Sequence, residues 1–417
     1  MKELGQARAK GLSAGLRAVI AVAFVVSLTA GPAAQAQTYR EVYNFPPHYP
    51  GGGTLVIDRA GDFYGTSLPP CCGGYGSVYK LTKYGFNYVF NPLYTFQGGA
   101  SGSYPYAPVT IARDGSLYGN AYYGGYPGEH CDPSGCGLVY RLRPPATSPP
   151  SPFTPWTESV AYAFAGLPND GYQPDGPLIE DAAGNLYGTT YLGGPNLFGT
   201  VFELSPSHGG WTEQILYGFS YGDDGMQLEG GVIMDQAGNL YGTTQTGGSF
   251  ADGVVYQLTP SSSGWQETVL HAFDGTDGAG PLTGLVMDQA GNLYGSTFGG
   301  GSNNAGVVFE LSPANGAWTY TILYNFVEEY EGPTAPLVLD AAGNVYGTTS
   351  GGGAYQNGMV FELSPAGGIW TFTDLHDFSG SQRNNPGGIT LDSAGNLFGT
   401  TSGNGTNGAG VLWEITP

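Results

Sequence analysis

Asp235-Gln236-Ala237-Gly238-Asn239-Leu240-Tyr241-Gly242-Thr243-Thr244 is the stretch that decides the fold. Its first half is turn chemistry. An Asp opens a tight turn by accepting backbone N–H bonds, and the Gly takes the left-handed position. Its second half is a short strand. The unit recurs in full at Asp181–Thr190, and as variants at Asp58–Ser67, Asp288–Thr297, Asp340–Thr349 and Asp392–Thr401. A weaker copy runs from Ala112 to Ala121, which makes seven. The glycine after the aromatic residue falls at 65, 119, 188, 242, 295, 347 and 399, so the repeat is 52 to 54 residues long except for one interval of 69. The long interval contains the Pro-rich stretch 144–155.

Each copy carries four strand-like pieces. In the fourth copy these are Gly231–Asp235, Asn239–Thr244, Val254–Leu258 and Trp265–Phe273, and none has helical periodicity. Four short strands in about fifty residues is the size of one propeller blade. The last copy ends after its third strand, Val411–Ile415, while Thr38–Phe45 near the N-terminus matches the missing fourth. The expected fold is therefore all-β: a seven-bladed β-propeller of four-stranded blades, closed by the N-terminal strand completing the last blade. Blades are placed at 51–96, 106–164, 174–219, 228–273, 281–326, 334–378, and 386–417 plus 38–45.

Residues 1–36 read as an export signal. Lys2, Arg8, Lys10 and Arg17 precede and enter an apolar run, Ala18–Ala30, too short to span a bilayer as a helix. Ala34-Gln35-Ala36 then offers a small-x-small cleavage site. Secretion, to the periplasm or the outside of the cell, is expected, with no membrane span after cleavage. The chain has 417 residues and a formal charge of −21, which becomes about −24 once the basic leader is removed. Such a surface repels nucleic acid, which needs basic patches. A glycan or a protein outside the cell is the expected partner, and a monomer is the expected state.

The Asp-x-Ala-Gly-Asn-Leu-Tyr-Gly-Thr-Thr units, each followed by Gly-x-Val-Phe-Glu-Leu-Ser-Pro or a variant, resemble the GloVer-type tandem repeat of exported bacterial proteins. The resemblance spans residues 38–417. It implies an extracytoplasmic location and no established activity. No apolar tail or sorting signal follows Pro417, in contrast to surface-anchored members.

Several recurring residues have both a structural and a chemical reading. The repeated Asp is expected to build turns. Calcium-binding loops need several close acids with a bidentate Glu, which this pattern lacks. No cofactor is expected, and calcium stays open. The repeated Tyr (64, 118, 187, 241, 294 and 346, with Phe398 in the last copy) is expected between blades, and the Trp that starts the fourth strand is expected to pack in the core or to cover a sheet edge. His271 and His376 fill a slot held by Tyr217 and Tyr324 in other copies. No nucleophile elbow, zinc-protease helix or phosphate loop is present. Export favours disulfides among Cys71, Cys72, Cys131 and Cys136, and three pairings are open.

In a four-stranded meander the loops after Gly-Thr-Thr and the blade-to-blade loops share one face. That face is acidic and aromatic. Candidate ligand-binding residues are Asp170, Asp175, Asp223, Asp224, Asp274, Asp277, Glu328, Glu329, Tyr122 and Tyr123. Carboxylates that accept hydroxyl bonds, beside rings that stack, suit sugars. A binding or scaffolding protein is therefore expected. The alternative is a carbohydrate-active enzyme, hydrolase or lyase, working through carboxylates on the same face. The second copy breaks the repeat most, which directs attention to Gly119–Cys136.

Overall fold

A computed structural model describes residues 37–416, except 70–73, 86, 126–130, 132, 146–155, 328–331 and 381–385. Cys71, Cys72, Glu328 and Glu329 lie outside the described residues, as does the export signal. The described chain forms seven antiparallel four-stranded sheets. Six of them follow chain order. The seventh is built from Thr390–Leu391, Leu397–Thr400 and Val411–Thr416, with Thr38–Asn44 as its outermost strand. Thr38 pairs with Thr416 and Asn44 with Val411, so the two ends of the chain close the ring. Arg40 Nε donates to Glu414 Oε2 at 2.6 Å across this seam. Among the described residues, no helix is long and apolar enough to cross a membrane.

The turn follows from its sequence. Asp235 Oδ1 accepts the N–H groups of Ala237 and Asn239 at 2.8 and 2.9 Å, and Gly238 takes φ +86°. Asp235 Oδ2 accepts Asn239 Nδ2 at 2.7 Å and the Tyr241 hydroxyl at 3.0 Å. The turns at Asp181, Asp288 and Asp340 repeat all four bonds. The recurring Asp thus spends both oxygens on local structure, and the recurring Tyr is tied to it. The Tyr ring lies between blades as expected: Tyr64, Tyr118, Tyr241 and Tyr294 each meet a Trp of the next blade at 5.6 to 6.2 Å between centroids.

The core repeats one contact. The glycine of each second strand pairs across the sheet with an aromatic residue of the third: Gly295 with Phe309, Gly242 with Tyr256, Gly399 with Trp413. A methyl group on Gly295 would overlap the Phe309 ring, so only glycine lets that ring lie flat on the strand. Each of these seven aromatics is fully buried. Each also receives the Phe that ends the preceding blade's fourth strand: Phe96 on Tyr140, Phe164 on Phe202, Phe219 on Tyr256, Phe273 on Phe309, Phe326 on Phe361, Phe378 on Trp413, and Phe45 on Tyr79. Centroid distances run from 4.9 to 5.9 Å, and six of the seven pairs are edge-to-face. The chain of contacts goes round the whole ring without a break.

Two expected outcomes test this packing. Deleting residues 38–45 removes both the closing strand and Phe45. Thermal unfolding should then lose its single cooperative step or occur at a much lower temperature, and an unchanged transition would contradict ring closure. Phe273→Ala should cost about 3–5 kcal/mol by denaturant titration. Phe250→Ala, at a 60 % exposed loop site, should stay within about 0.5 kcal/mol.

Candidate functional site

The approach to each innermost strand lines a channel along the ring axis. Its volume is about 500 Å³, and all seven blades contribute equivalent backbone to its wall. The third residue before the buried apolar residue of each first strand occupies the same place in every blade. Around the ring these residues are Gly52, Tyr106, Asp175, Glu229, Leu282, Thr334 and Pro386. Seven-fold regularity therefore fails on one side, where Tyr106, Asp175 and Glu229 stand in consecutive blades. Among the described residues lining the channel, none is Lys, Arg or His.

Asp175 is held there by a local irregularity. In the third blade the first strand is extended to Gly171–Glu180, while the equivalent strand of the next blade is only Ile233–Met234. Its pairing is regular at Asp175 opposite Thr189 and resumes at Ile179 opposite Tyr187, so the intervening residues bulge. Bulges re-aim side chains. Gly176, at φ +75°, turns the chain, and its N–H donates to Asp175 Oδ1 at 2.8 Å. Thr189 Oγ1 donates to the Asp175 carbonyl at 2.8 Å, and Asn120 Nδ2 donates to the Gly176 carbonyl at 2.9 Å. Asn120 replaces the Thr or Ser that the other six copies carry at this position.

The second blade supplies the aromatic wall. Tyr104, Tyr106, Tyr122 and Tyr123 form a closed cycle of ring contacts with centroids 4.9 to 5.8 Å apart. Tyr106 is 45 % exposed at the channel mouth. The Tyr122 hydroxyl donates to Gln173 Oε1 at 2.9 Å, and the Gln173 backbone N–H donates to the Cys136 carbonyl at 2.8 Å. Cys136 is disulfide-bonded to Cys131, with Cα atoms 4.9 Å apart. The small disulfide loop therefore braces the residue that orients Tyr122. On the far side, Gln227 Nε2 contacts the Tyr191 hydroxyl.

The electrostatics follow from enclosure. Burial pushes the Asp175 carboxyl up to about 7; the Gly176 N–H opposes this, and the Glu229 charge adds to it. Solvent still reaches Asp175, because it faces the channel. Burial also raises the Glu229 carboxyl. The Tyr122 and Tyr191 hydroxyls are raised by burial first and then by nearby acids, including Asp175. The raised hydroxyls keep their protons: Tyr122 donates to Gln173, while the Tyr191 oxygen accepts from Gln227.

The other acids expected to bind ligand are placed differently. Asp170 is 7 % exposed; its carboxylate accepts the Tyr162 hydroxyl at 2.9 Å and the N–H groups of Ala165 and Gly171 at 2.7 and 2.6 Å. Asp224 accepts the Tyr217 hydroxyl at 3.2 Å, Ser220 through both its N–H and hydroxyl, and the Gly222 N–H. Asp277 pairs with His271 Nε2 at 2.9 Å, and that imidazole stacks on Tyr320 of the next blade at 3.9 Å. Asp274 accepts Thr276 and Asp277 N–H groups in an exposed turn. Asp223 accepts the Ser249 hydroxyl, at 3.3 Å. Asp170, Asp224 and Asp277 thus clasp blade-to-blade loops onto the preceding Tyr or His. Of the candidates read from sequence, Asp175 lines the channel, and Tyr122 and Tyr123 belong to the ring cycle behind the channel-lining Tyr106. Glu229 and Tyr106 line the channel too and are absent from that set, as are Gln173, which holds Tyr122, and Tyr191, which contacts Gln227. Aligning the residue three before each first-strand apolar position would have exposed Tyr106 and Glu229. Among the described residues, no three His, Cys, Asp or Glu side chains converge to hold a metal ion.

The profile of the Gloeobacter/Verrucomicrobia repeat matches residues 49–290 and 266–417. No curated protein matches the chain. Among solved structures, an ulvan lyase of polysaccharide lyase family PL25, bound to -[GlcA(1-4)Rha3S]-, is similar with 11 % identity and a TM-score of 0.52, covering 89 % of this chain and 95 % of its own. A Lactobacillus plantarum protein has 13 % identity and a TM-score of 0.52, covering 85 % and 99 %. PorZ, a surface component of the type-IX secretion system of Porphyromonas gingivalis, has 14 % identity and a TM-score of 0.51. That match covers 87 % of this chain but 46 % of PorZ, so the chain spans about half of that protein's length. At these identities the likeness is one of fold.

Carboxyls raised in the folded state make stability fall with rising pH, because the folded protein keeps protons that the unfolded chain releases. Burial, with Asp170 adding, lifts Glu213 from 4.5 to about 7, and burial with Asp224 lifts Glu267 likewise. Asp181 and Asp235 have the opposite sign. Burial raises them, but turn hydrogen bonds outweigh it and hold both below 3.8, so they stabilise the fold until acid protonates them. Scanning calorimetry should find the highest melting temperature near pH 4–5, with a decline between about pH 5 and 8. Glu213→Gln with Glu267→Gln should flatten that decline; a melting temperature that rises from pH 5 to 8 would contradict the assignment.

Proposed function

The chain belongs to the Gloeobacter/Verrucomicrobia repeat family, and we propose that it is an exported binding protein that holds a saccharide chain at the mouth of its axial channel. The observation that carries this reading is the break in the seven-fold ring. Tyr106, Asp175 and Glu229 occupy consecutive blades, and three further tyrosines close the aromatic wall beside them. Partly exposed rings offer faces for sugar stacking. Neutral hydroxyls, Gln side chains and carboxylates offer both donors and acceptors for sugar hydroxyls. The mouth is concave and largely pre-formed, as small-ligand sites usually are. Its aromatic wall is braced by the Cys131–Cys136 disulfide, which suits a protein working outside the cytoplasm. The leader at residues 1–36 supports the same location. A polysaccharide lyase shares the fold, so propellers of this shape can carry a polysaccharide.

The test is retention of a panel of neutral, amino and acidic polysaccharides by the purified protein, with product analysis of the same samples. Tyr106→Ala and Tyr122→Ala should each weaken binding about three- to tenfold, the worth of one stacked ring. Tyr355→Ala, exposed on a loop of the sixth blade, should leave it unchanged. Equal loss in all three variants, or none in the first two, would remove the channel mouth from the binding site. New reducing or unsaturated ends would make the protein an enzyme instead.

A further inference from the structure

The channel mouth holds acids without counter-charges. Asp175 is walled in by protein apart from the channel, and one of its oxygens is engaged by the Gly176 N–H. Glu229 has no hydrogen-bond or ion-pair partner among the described residues, although it too is largely enclosed. Some acids elsewhere do meet a basic group, whereas others, such as Glu213 and Glu267, are enclosed without one but do not face the channel. Glu414 meets Arg40, Asp62 meets Lys80 at 2.7 Å, and Asp114 meets Arg141. Enclosed carboxylates normally keep such partners, because an unpaired buried charge is costly. The basic residues of this chain are few, and among the described residues none lines the channel. The two acids therefore have no cation from the described residues, and they line a cavity of about 500 Å³ that Tyr106 also lines, with Tyr104 and Tyr122 packed against that ring.

We infer that the channel mouth selects saccharides bearing a free primary amine, with the ammonium group seated between Asp175 and Glu229 while the sugar ring lies on the tyrosine wall. This rests on the saccharide reading above and narrows its ligand class. A primary ammonium has three donors, enough to reach both carboxylates. Charge-assisted bonds of this kind are shorter and about twice as strong as neutral ones. Tyr106 lines the same space, backed by Tyr122, and a tyrosine ring face also attracts cations. Uronate and sulfate-bearing chains are disfavoured, because their charges would meet two acids with no basic group beside them.

Binding of three oligosaccharides of equal length is measured by calorimetry near pH 7. One is a β-1,4-glucosamine oligomer, the second its fully N-acetylated form, and the third an oligogalacturonate. The free-amine oligomer should bind at least about tenfold more tightly than the N-acetylated one, and its advantage should shrink with added salt. The oligogalacturonate should not bind. In the Asp175→Asn, Glu229→Gln double variant, the free-amine and N-acetylated oligomers should bind within about twofold of each other. Removing uncompensated acids should leave the melting temperature unchanged or raised, so the variant is expected to fold. Binding of both sugars without preference, or a preference that survives the double substitution, overturns the amine assignment and leaves the saccharide reading standing. Binding of none of the three overturns both.

Discussion

Everything in the ring depends on an aromatic side chain lying flat on a glycine. In each blade the second-strand glycine leaves room for the third-strand aromatic, and that aromatic in turn receives the last Phe of the preceding blade. The first contact sets the thickness of a blade, and the second sets the spacing between blades. Neither tolerates much change, because protein interiors are packed to crystal-like density. At the junction of the two chain ends, Phe45 performs for Tyr79 what Phe273 performs for Phe309. The N-terminal strand thus contributes a packing residue as well as a row of hydrogen bonds.

Around this core the polar residues are mostly occupied. The repeated Asp is consumed by its own turn, and the repeated Tyr bonds back to it. The blade-to-blade acids Asp170, Asp224 and Asp277 hold loops in place through Tyr or His of the previous blade. An acidic loop face can therefore be built largely from acids already committed to structure. Asp175 and Glu229 stand apart because they are the acids that line the channel among the described residues.

The asymmetry of the mouth is assembled from three blades. The second contributes the tyrosine cycle and the disulfide loop, the third the bulged strand, the fourth Glu229. Each is a local departure from the repeat. Extra or exchanged residues at the channel mouth cost the ring little, since they lie beyond the packed aromatic layer.

Blade number, strand order and the closing strand were legible in the sequence because the forces behind them are local and repeated. A turn Asp, a tight glycine and a buried aromatic recur at fixed offsets, and each copy reports the same register. The site was legible only in part. Asp175, Tyr122 and Tyr123 stand out as acids and aromatics in loops, yet nothing in the linear chain ranks them above Asp170 or Asp224. That ranking depends on which carboxylates find hydrogen-bond donors after folding. Tyr106, Asp175 and Glu229 are more than fifty residues apart from one to the next. They become neighbours because ring closure brings every first strand to one axis, and only the tertiary structure supplies that axis.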